Sequence, residues 1–292
     1  MANEIGDTEL GATKQEVIEA VAQRALINSS VTLGTVMDVS GRAVKGAETI
    51  SFPKYGSLFT VEKRTSASAG SNQNPVFGKD TLSLDQRAHI QWLVDQDDAI
   101  ESTLNVDREL IELAGMEHGR QIDIDLNTEL EAAAITTTTT GDISQDVVLQ
   151  MRRVLLKNKA NPNRLYLKVG PDQEELLLKI QPFVAADQYG SAIIPQGVLG
   201  TLYGVKVILD VELDPQQYFM YDSMGLAFGF QRGPQFDEAP RPEFGAGSKL
   251  QVLAQKYGYK ALQVAVPRAF QADGTTSLAS NESAWIVKDA NA

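Results

Sequence analysis

The 292-residue chain contains no cysteine. That excludes disulfide frameworks and thiolate metal sites, and it fits synthesis in a reducing compartment. Histidine is nearly as scarce, with only His89 and His118. Two imidazoles leave little room for a histidine-based triad or a histidine-rich metal centre. No apolar run approaches the roughly 20 residues needed to cross a bilayer, so no membrane contact is expected. The opening Met-Ala-Asn-Glu-Ile-Gly-Asp has no basic segment leading into an apolar one, so no signal peptide is expected. Bases are outnumbered, 26 against 38 acids, for a net charge of −12. Such a surface repels phosphate backbones, which argues against sequence-specific nucleic-acid binding but not against enclosing nucleic acid.

Familiar site motifs are missing too. Gly78-Lys79-Asp80 lacks the upstream glycine and the hydroxyl residue of a phosphate loop. Gly245-Ala-Gly247 meets Leu250 where a dinucleotide fingerprint needs glycine. No Gly-x-Ser-x-Gly elbow occurs. Asp95, Asp97, Asp98 and Glu101 cluster, but counting from Asp95 a calcium loop would place Ile100 at its glycine and Val106 at its closing acid. These acids read instead as charges favoured at the positive end of a helix. Asp123 and Asp125 diverge on a helix and are expected to be solvated. His89 falls on a polar strand face and His118 on an inner helical stripe, neither as a catalyst. Tyr218, Phe219, Tyr221, Phe228 and Phe230 read as core, because bases around them are sparse. No catalytic, cofactor-binding or metal residue is assigned.

What the chain does have is a long alternation. Leu82, Leu84, Ala88, Ile90, Trp92 and Val94 take even positions, with polar residues between them and only Gln86 and Leu93 out of phase. This predicts one unusually long, half-buried strand over 81–94. Tyr55 to Thr65 also reads as extended, and the polar stretch Ser66 to Pro75 reads as the tip of a ribbon. An isolated hairpin is marginal in water, so the ribbon needs another surface, and a neighbouring subunit is the expected supplier. Tyr55, Phe59, Arg64, Phe77 and Arg87 are the candidate intersubunit contacts, as apolar and Arg side chains with little cover from their own chain.

Elsewhere, Thr13-Lys-Gln-Glu16 fits a capping box and predicts a helix over 14–27 after a loose arm. Residues 30–53 read as a connection with short strands. Apolar residues at three- and four-residue spacing predict a long helix over 105–134, lying on a sheet, with Gly115 and Gly119 as weak points. Asp142 reads as an N-cap for a helix carrying Val147, Val148, Met151, Val154 and Leu155. Asn161-Pro-Asn163 is a turn, 164–169 a strand, and Gly170-Pro171 opens another helix with acids in its first turn. Strands are expected over 204–210 and 217–230. Residues 249–257 and 260–267 read as an antiparallel pair, and 271–292 as a polar tail.

This order resembles that of the major capsid protein of tailed bacteriophages, the Hong-Kong-97-like fold. The segments that carry the likeness are the hairpin of 54–94, Thr103 to Ala134, Asp142 to Gln181, Leu199-Gly-Thr-Leu-Tyr-Gly-Val-Lys-Val207 and Lys256-Tyr-Gly-Tyr-Lys-Ala261. The resemblance implies an α+β fold with an N-terminal arm and helix (1–29) and a connection (30–53). It implies an extended E-loop hairpin (54–94), a peripheral domain with a spine helix and sheet (95–140 and 240–292), and an α/β axial domain (141–239). It implies a structural, non-enzymatic subunit that self-assembles into hexamers and pentamers of an icosahedral phage head around double-stranded DNA. The expected partners are further copies of the chain, a separate scaffolding protein, a portal and decoration proteins. The expected location is the virion, after assembly in the host cytoplasm. Some relatives join a ribbon lysine to an asparagine of a neighbouring subunit; no such link is expected at Lys54, Lys63 or Lys79. An encapsulin-like nanocompartment shell is the alternative role for the same fold, and a metal-assisted hydrolase using the 95–101 acids a distant one.

Overall fold

In the computed structural model, the described residues are 7–43, 46–55, 63, 77–94, 106–136, 142–179, 198–244, 247–263 and 283–288. Two sheets share one long helix. Helix α1 (Asp7–Ser29) packs along helix α2 (Val106–Ala133). Strands β1 (Met37–Asp38), β10 (Leu226–Pro240), β11 (Lys249–Ala261) and β4 (Gln86–Val94) form a four-stranded sheet in that order. β2 (Thr49–Tyr55) and β3 (Phe77–Ser83) pair as a separate two-stranded antiparallel ribbon. Six strands make the other sheet: β5 (Ile135–Thr136), β12 (Ile286–Lys288), β9 (Tyr218–Asp222), β6 (Leu165–Val169), β8 (Val205–Leu209) and β7 (Val198–Leu202). Helices α3 (Gln145–Lys157) and α4 (Pro171–Leu178) pack into the core on this sheet.

The 28 residues of α2 reach about 42 Å at the usual helical rise, enough to bridge both sheets. Toward its start, Ile111 and Ala114 pack with Leu253, Phe236, Ile90 and Trp92 of the four-stranded sheet. Toward its end, Leu126, Leu130 and Ala133 join a core with Phe219, Tyr221 and Ile286 of the six-stranded sheet. The helix therefore lies where the spacing places it. Leu113, one of the apolar residues whose spacing predicts this helix, is not part of the buried face and is 55% exposed. Gly115 and Gly119 are crossing points rather than weak points. A Cβ at Gly115 would sit 2.6 Å from the Ala22 carbonyl oxygen, and one at Gly119 2.7 Å from that of Leu26. Only glycine lets the two backbones come this close.

The alternation over 81–94 survives in burial, with even positions inward throughout. It does not form one strand, however. The chain breaks at Leu84 and Asp85, so that 77–83 stays in the ribbon while 86–94 pairs with β11. The ribbon also begins earlier than position 54, because Thr49 pairs with Ser83. Much of the apolar surface assigned to a neighbour is covered from within. Ile90 and Trp92 lie under α2, while Ile50, Phe52, Leu82 and Leu84 pack with Val39, Ala227 and Leu262.

Other boundaries move for local reasons. α1 already runs through Asp7–Thr13, so the capping pattern at Thr13 lies inside the helix and does not begin it. Ser144, not Asp142, caps α3 and accepts from the Val147 amide, while the five predicted stripe residues are buried. The turn at 161–163, strand β6 and the Pro171-led helix fall as expected. The expected strand over 217–230 is two strands, turned by Asp222-Ser-Met-Gly225, where the Gly225 amide donates to the Asp222 carbonyl at 2.7 Å. The expected pair 249–257 and 260–267 is one strand through Ala261, flanked by β10 and β4. Gly258, where a break was expected, stays in the strand, paired with Gly229, at a point where the Ser83 carbonyl oxygen leaves no room for a Cβ.

The segment 271–292 is not simply a tail. Ile286–Lys288 lies between β5 and β9, and Ile286 and Val287 are fully buried. A three-residue strand is too short to show a period in sequence. Likewise, 226–239 belongs with the four-stranded sheet, whereas 135–136 and 286–288 belong with the six-stranded one. Each sheet thus draws strands from both sides of positions 140 and 239, because paired strands need not be close in sequence.

Candidate functional site

The candidate contact residues separate in space. The backbones of Tyr55 and Phe77 pair in register at the far end of the β2–β3 ribbon. Phe59 and Arg64 lie outside the described residues. Arg87 is not in the ribbon; it sits exposed on β4, opposite Lys256 of β11. β4 is an edge of its sheet among the described residues, so its outer backbone groups are available for pairing. The acids Asp95, Asp97, Asp98 and Glu101 also lie outside the described residues. Among the described residues, no group of three or more His, Asp or Glu side chains could hold a metal ion. No helix among them is long and apolar enough to cross a membrane.

His89 is exposed on β4. His118, on α2, is buried, and its Nε2 donates to the Leu253 carbonyl at 3.2 Å. Burial pushes the His118 imidazole below its usual range, against the pull of that hydrogen bond.

The most developed polar constellation is at the junction of α1, α2 and the six-stranded sheet, and sequence reasoning missed it. Lys168, on β6, is 0% exposed. Its Nζ contacts Asp210 Oδ2 at 2.6 Å, Asn127 Oδ1 at 2.5 Å and Thr32 Oγ1 at 2.5 Å. Asn127 Nδ2 donates to Asp210 Oδ2 at 3.0 Å, and the Glu212 amide donates to Asp210 Oδ1 at 2.9 Å. Burial opposes ionisation of Asp210, but the Lys168 ammonium and these donors outweigh it and hold the carboxyl below its usual value. Nearby, Asp123 accepts from Ser30 Oγ at 2.7 Å and from the Val31 and Thr32 amides at 2.9 and 3.2 Å. It thus fixes the exit of α1. Asp123 was expected to be solvated; burial instead raises its carboxyl, partly offset by Lys168 and these donors. Asp125 is tied to the Tyr257 hydroxyl at 2.5 Å. Tyr221 completes the cluster through Thr35 at 2.6 Å.

The signal was present. Asp123 and Asn127 stand four apart beside Ile122, Leu126 and Leu130, and Lys168 interrupts an apolar strand. Buried charge of this kind is held by pairing and hydrogen bonds. Its evident effect is to fasten α1, α2 and the six-stranded sheet into one unit.

A groove of about 830 Å³ opens beside this junction, between the end of α1, β10 and the β6–β8 pair. Tyr166, Phe228 and Phe230 line it, with the Lys206 ammonium 5.2 Å from the Tyr166 ring centre.

No protein-family model matches the chain, and no curated protein matches its sequence. Solved structures do match its fold. One from Mycobacterium phage Che8 aligns with a TM-score of 0.67 and 15% identity, over 89% of this chain and 91% of that one. The capsid of a native GTA particle aligns at 0.62 and 11% identity, over 89% of each chain. The mature capsid of bacteriophage PhiM1 aligns at 0.59 and 15% identity, over 90% of this chain and 88% of that one. The chain has the fold of the tailed-bacteriophage major capsid proteins.

Proposed function

We propose that this chain is the major capsid protein of a tailed bacteriophage, a structural subunit without catalytic role. Copies of it assemble as hexamers and pentamers into an icosahedral head that encloses double-stranded DNA. The single observation that carries the reading is a fold shared with capsid structures over about nine-tenths of both chains. In this reading the four-stranded sheet with α1 and α2 is the peripheral domain. The six-stranded sheet with α3 and α4 is the axial domain, and the β2–β3 ribbon is the stem of the E-loop. Tyr55, Phe59, Arg64 and Phe77 contact a neighbouring subunit from the ribbon, and Arg87 does so from the edge of β4. Charge supports this arrangement: 54–79 holds Lys54, Lys63, Arg64 and Lys79 against the single acid Glu62, in a chain of net charge −12. A basic ribbon finds attractive surfaces on acidic neighbours. A scaffolding protein, a portal and decoration proteins complete the partners, and the assembled product resides in the virion after assembly in the host cytoplasm.

The test is to express the chain, alone and with a co-expressed scaffold candidate, and image it by negative-stain electron microscopy. Rings, tubes or closed shells are expected, with DNA rather than an enzyme as their cargo in the phage. A folded monomer under every condition would count against the reading, and protein-filled shells would favour a nanocompartment.

A further inference from the structure

We propose that the exposed bases at the end of α3 form a contact surface for the phosphate backbone of the enclosed DNA. The choice of DNA as the source of phosphate rests on the reading of the chain as a phage head subunit. Between Asp146 and Asp172 the sequence holds Arg152, Arg153, Lys157, Lys159, Arg164 and Lys168 and no acid, in a chain of net charge −12. Two of these bases are neutralised, Arg164 by Asp222 at 3.4 Å and Lys168 by Asp210 at 2.6 Å. The other four form no ion pair among the described residues. Arg153, Lys157 and Lys159 are exposed, and Arg153 and Lys157 stand four apart on one helix face, about 6 Å along the axis. Arg152 is half-buried, and its Nε is buried without a hydrogen-bond partner among the described residues. A buried donor without an acceptor is uncommon and calls for a partner from elsewhere.

The backbone agrees. At the end of α3 the Ala160 amide donates to the Leu155 carbonyl at 3.0 Å and the Lys159 amide to that of Leu156 at 3.1 Å, the pattern of a left-handed cap. Lys159 holds the left-handed position at φ 63°, where glycine would carry no steric cost. A lysine there accepts backbone strain and presents an ammonium, and strain of this kind gathers at functional sites. The negative end of the helix dipole favours Lys157 and Lys159 as well, but its effect fades before Arg152 and Arg153, which precede the last turn. The surface also suits phosphate better than protein. Between 152 and 164 no large apolar side chain is exposed, and Asn161 and Asn163 are exposed beside the bases. Protein interfaces are depleted of lysine and centre on apolar residues, whereas Lys, Arg and Asn hold phosphate without such a centre. Contacts to phosphate read no base sequence, and a basic patch on an acidic wall attracts DNA there while the rest of the wall repels it.

The test is binding of the full chain to a fluorescein-labelled DNA duplex of arbitrary sequence, followed by anisotropy from about 0.02 M to about 0.2 M salt. The wild-type chain is expected to bind at low salt, with an affinity that falls as salt rises. Arg153→Gln combined with Lys157→Gln should lower the slope of log affinity against log salt by about 2, one for each lost phosphate contact. Arg241→Gln combined with Lys249→Gln makes the same change in charge at bases already paired with Glu243 and Glu238, and should leave the slope unchanged. Circular dichroism checks that both variants fold. No binding by the folded wild-type chain at low salt, or a wild-type slope in the Arg153 and Lys157 variant, would overturn the proposal. Electron microscopy of the same preparations separates the patch from the reading it rests on. Shells without DNA binding refute the patch alone, and DNA binding through the patch by a chain that never forms shells refutes the shell reading alone. An Arg153 and Lys157 variant that keeps DNA binding but loses shells would assign the patch to a neighbouring copy and overturn the proposal.

Discussion

Gly119 shows what a single missing side chain does in this protein. In an exposed helix interior, Ala is favoured over Gly by about 1 kcal/mol. Here an added Cβ meets the Leu26 carbonyl and the Ser29 hydroxyl, so the clash wins. Gly119→Ala should destabilise the chain by about 1–3 kcal/mol in denaturant unfolding, by forcing α1 off α2. Lys168 shows the opposite problem, a charge that must not lose its partner. Lys168→Met leaves the Asp210 carboxylate buried and unpaired and should cost about 3–5 kcal/mol. His118 gives the fold a pH dependence. Its folded pKa lies below the ordinary 6.5, so between the two values the unfolded chain binds more protons. The contribution to stability is present above the ordinary value and is lost as pH falls through and below it. Unfolding free energy should therefore drop as pH falls through the ordinary histidine value of about 6.5, and His118→Gln should flatten that part of the profile.

Among elements, the helices were the most legible. α2 buries its stripe almost as the spacing requires, since a long period is over-determined by many residues. Strands were less legible. Period two fixed the inward face of 81–94 correctly, yet it carried no information about which sheet each half joins. Gly258 and the Asp222–Gly225 turn illustrate the same gap. The first reads as a break but permits a close crossing; the second reads as continuous but reverses the chain. The ribbon is the element whose removal separates fold from assembly. Deleting Ser66 to Asn74 should leave the thermal unfolding of the subunit essentially unchanged, because this run of Ser, Ala, Gly, Asn and Gln holds no large apolar side chain to bury. Closed shells should then fail to form, as judged by electron microscopy. Shells of normal size from that deletion would count against an assembly role for the ribbon.

For the whole molecule, charge is the dominant long-range property. A net −12 makes copies repel one another at a distance, while the basic residues at 54–79 attract. If these residues guide docking, raising ionic strength from about 0.05 M to about 0.5 M should slow assembly more than it alters the stability of the subunit, because exposed charges are screened and buried pairs are not. Light scattering against salt measures the first, and denaturant unfolding the second. The buried junction sets a complementary expectation. Lys168, Asp210, Asn127 and Asp123 tie the parts of a subunit to each other, so rearrangement during assembly should be concentrated at surfaces rather than there.

The sequence by itself determined the α+β class, the helical stripes, the inward faces of the strands and the absence of familiar catalytic and phosphate-binding motifs. These depend on local period and on residue chemistry, which the order of residues states directly. The tertiary structure alone decided that 81–94 serves two sheets, that 286–288 returns to fill a central strand position, and that Asp123, Asn127, Lys168 and Asp210 meet. Those outcomes join residues as far apart in sequence as Gln86 and Tyr257 or Ile135 and Val287. Such pairings are chosen by the packing of whole layers against one another, which no local pattern encodes.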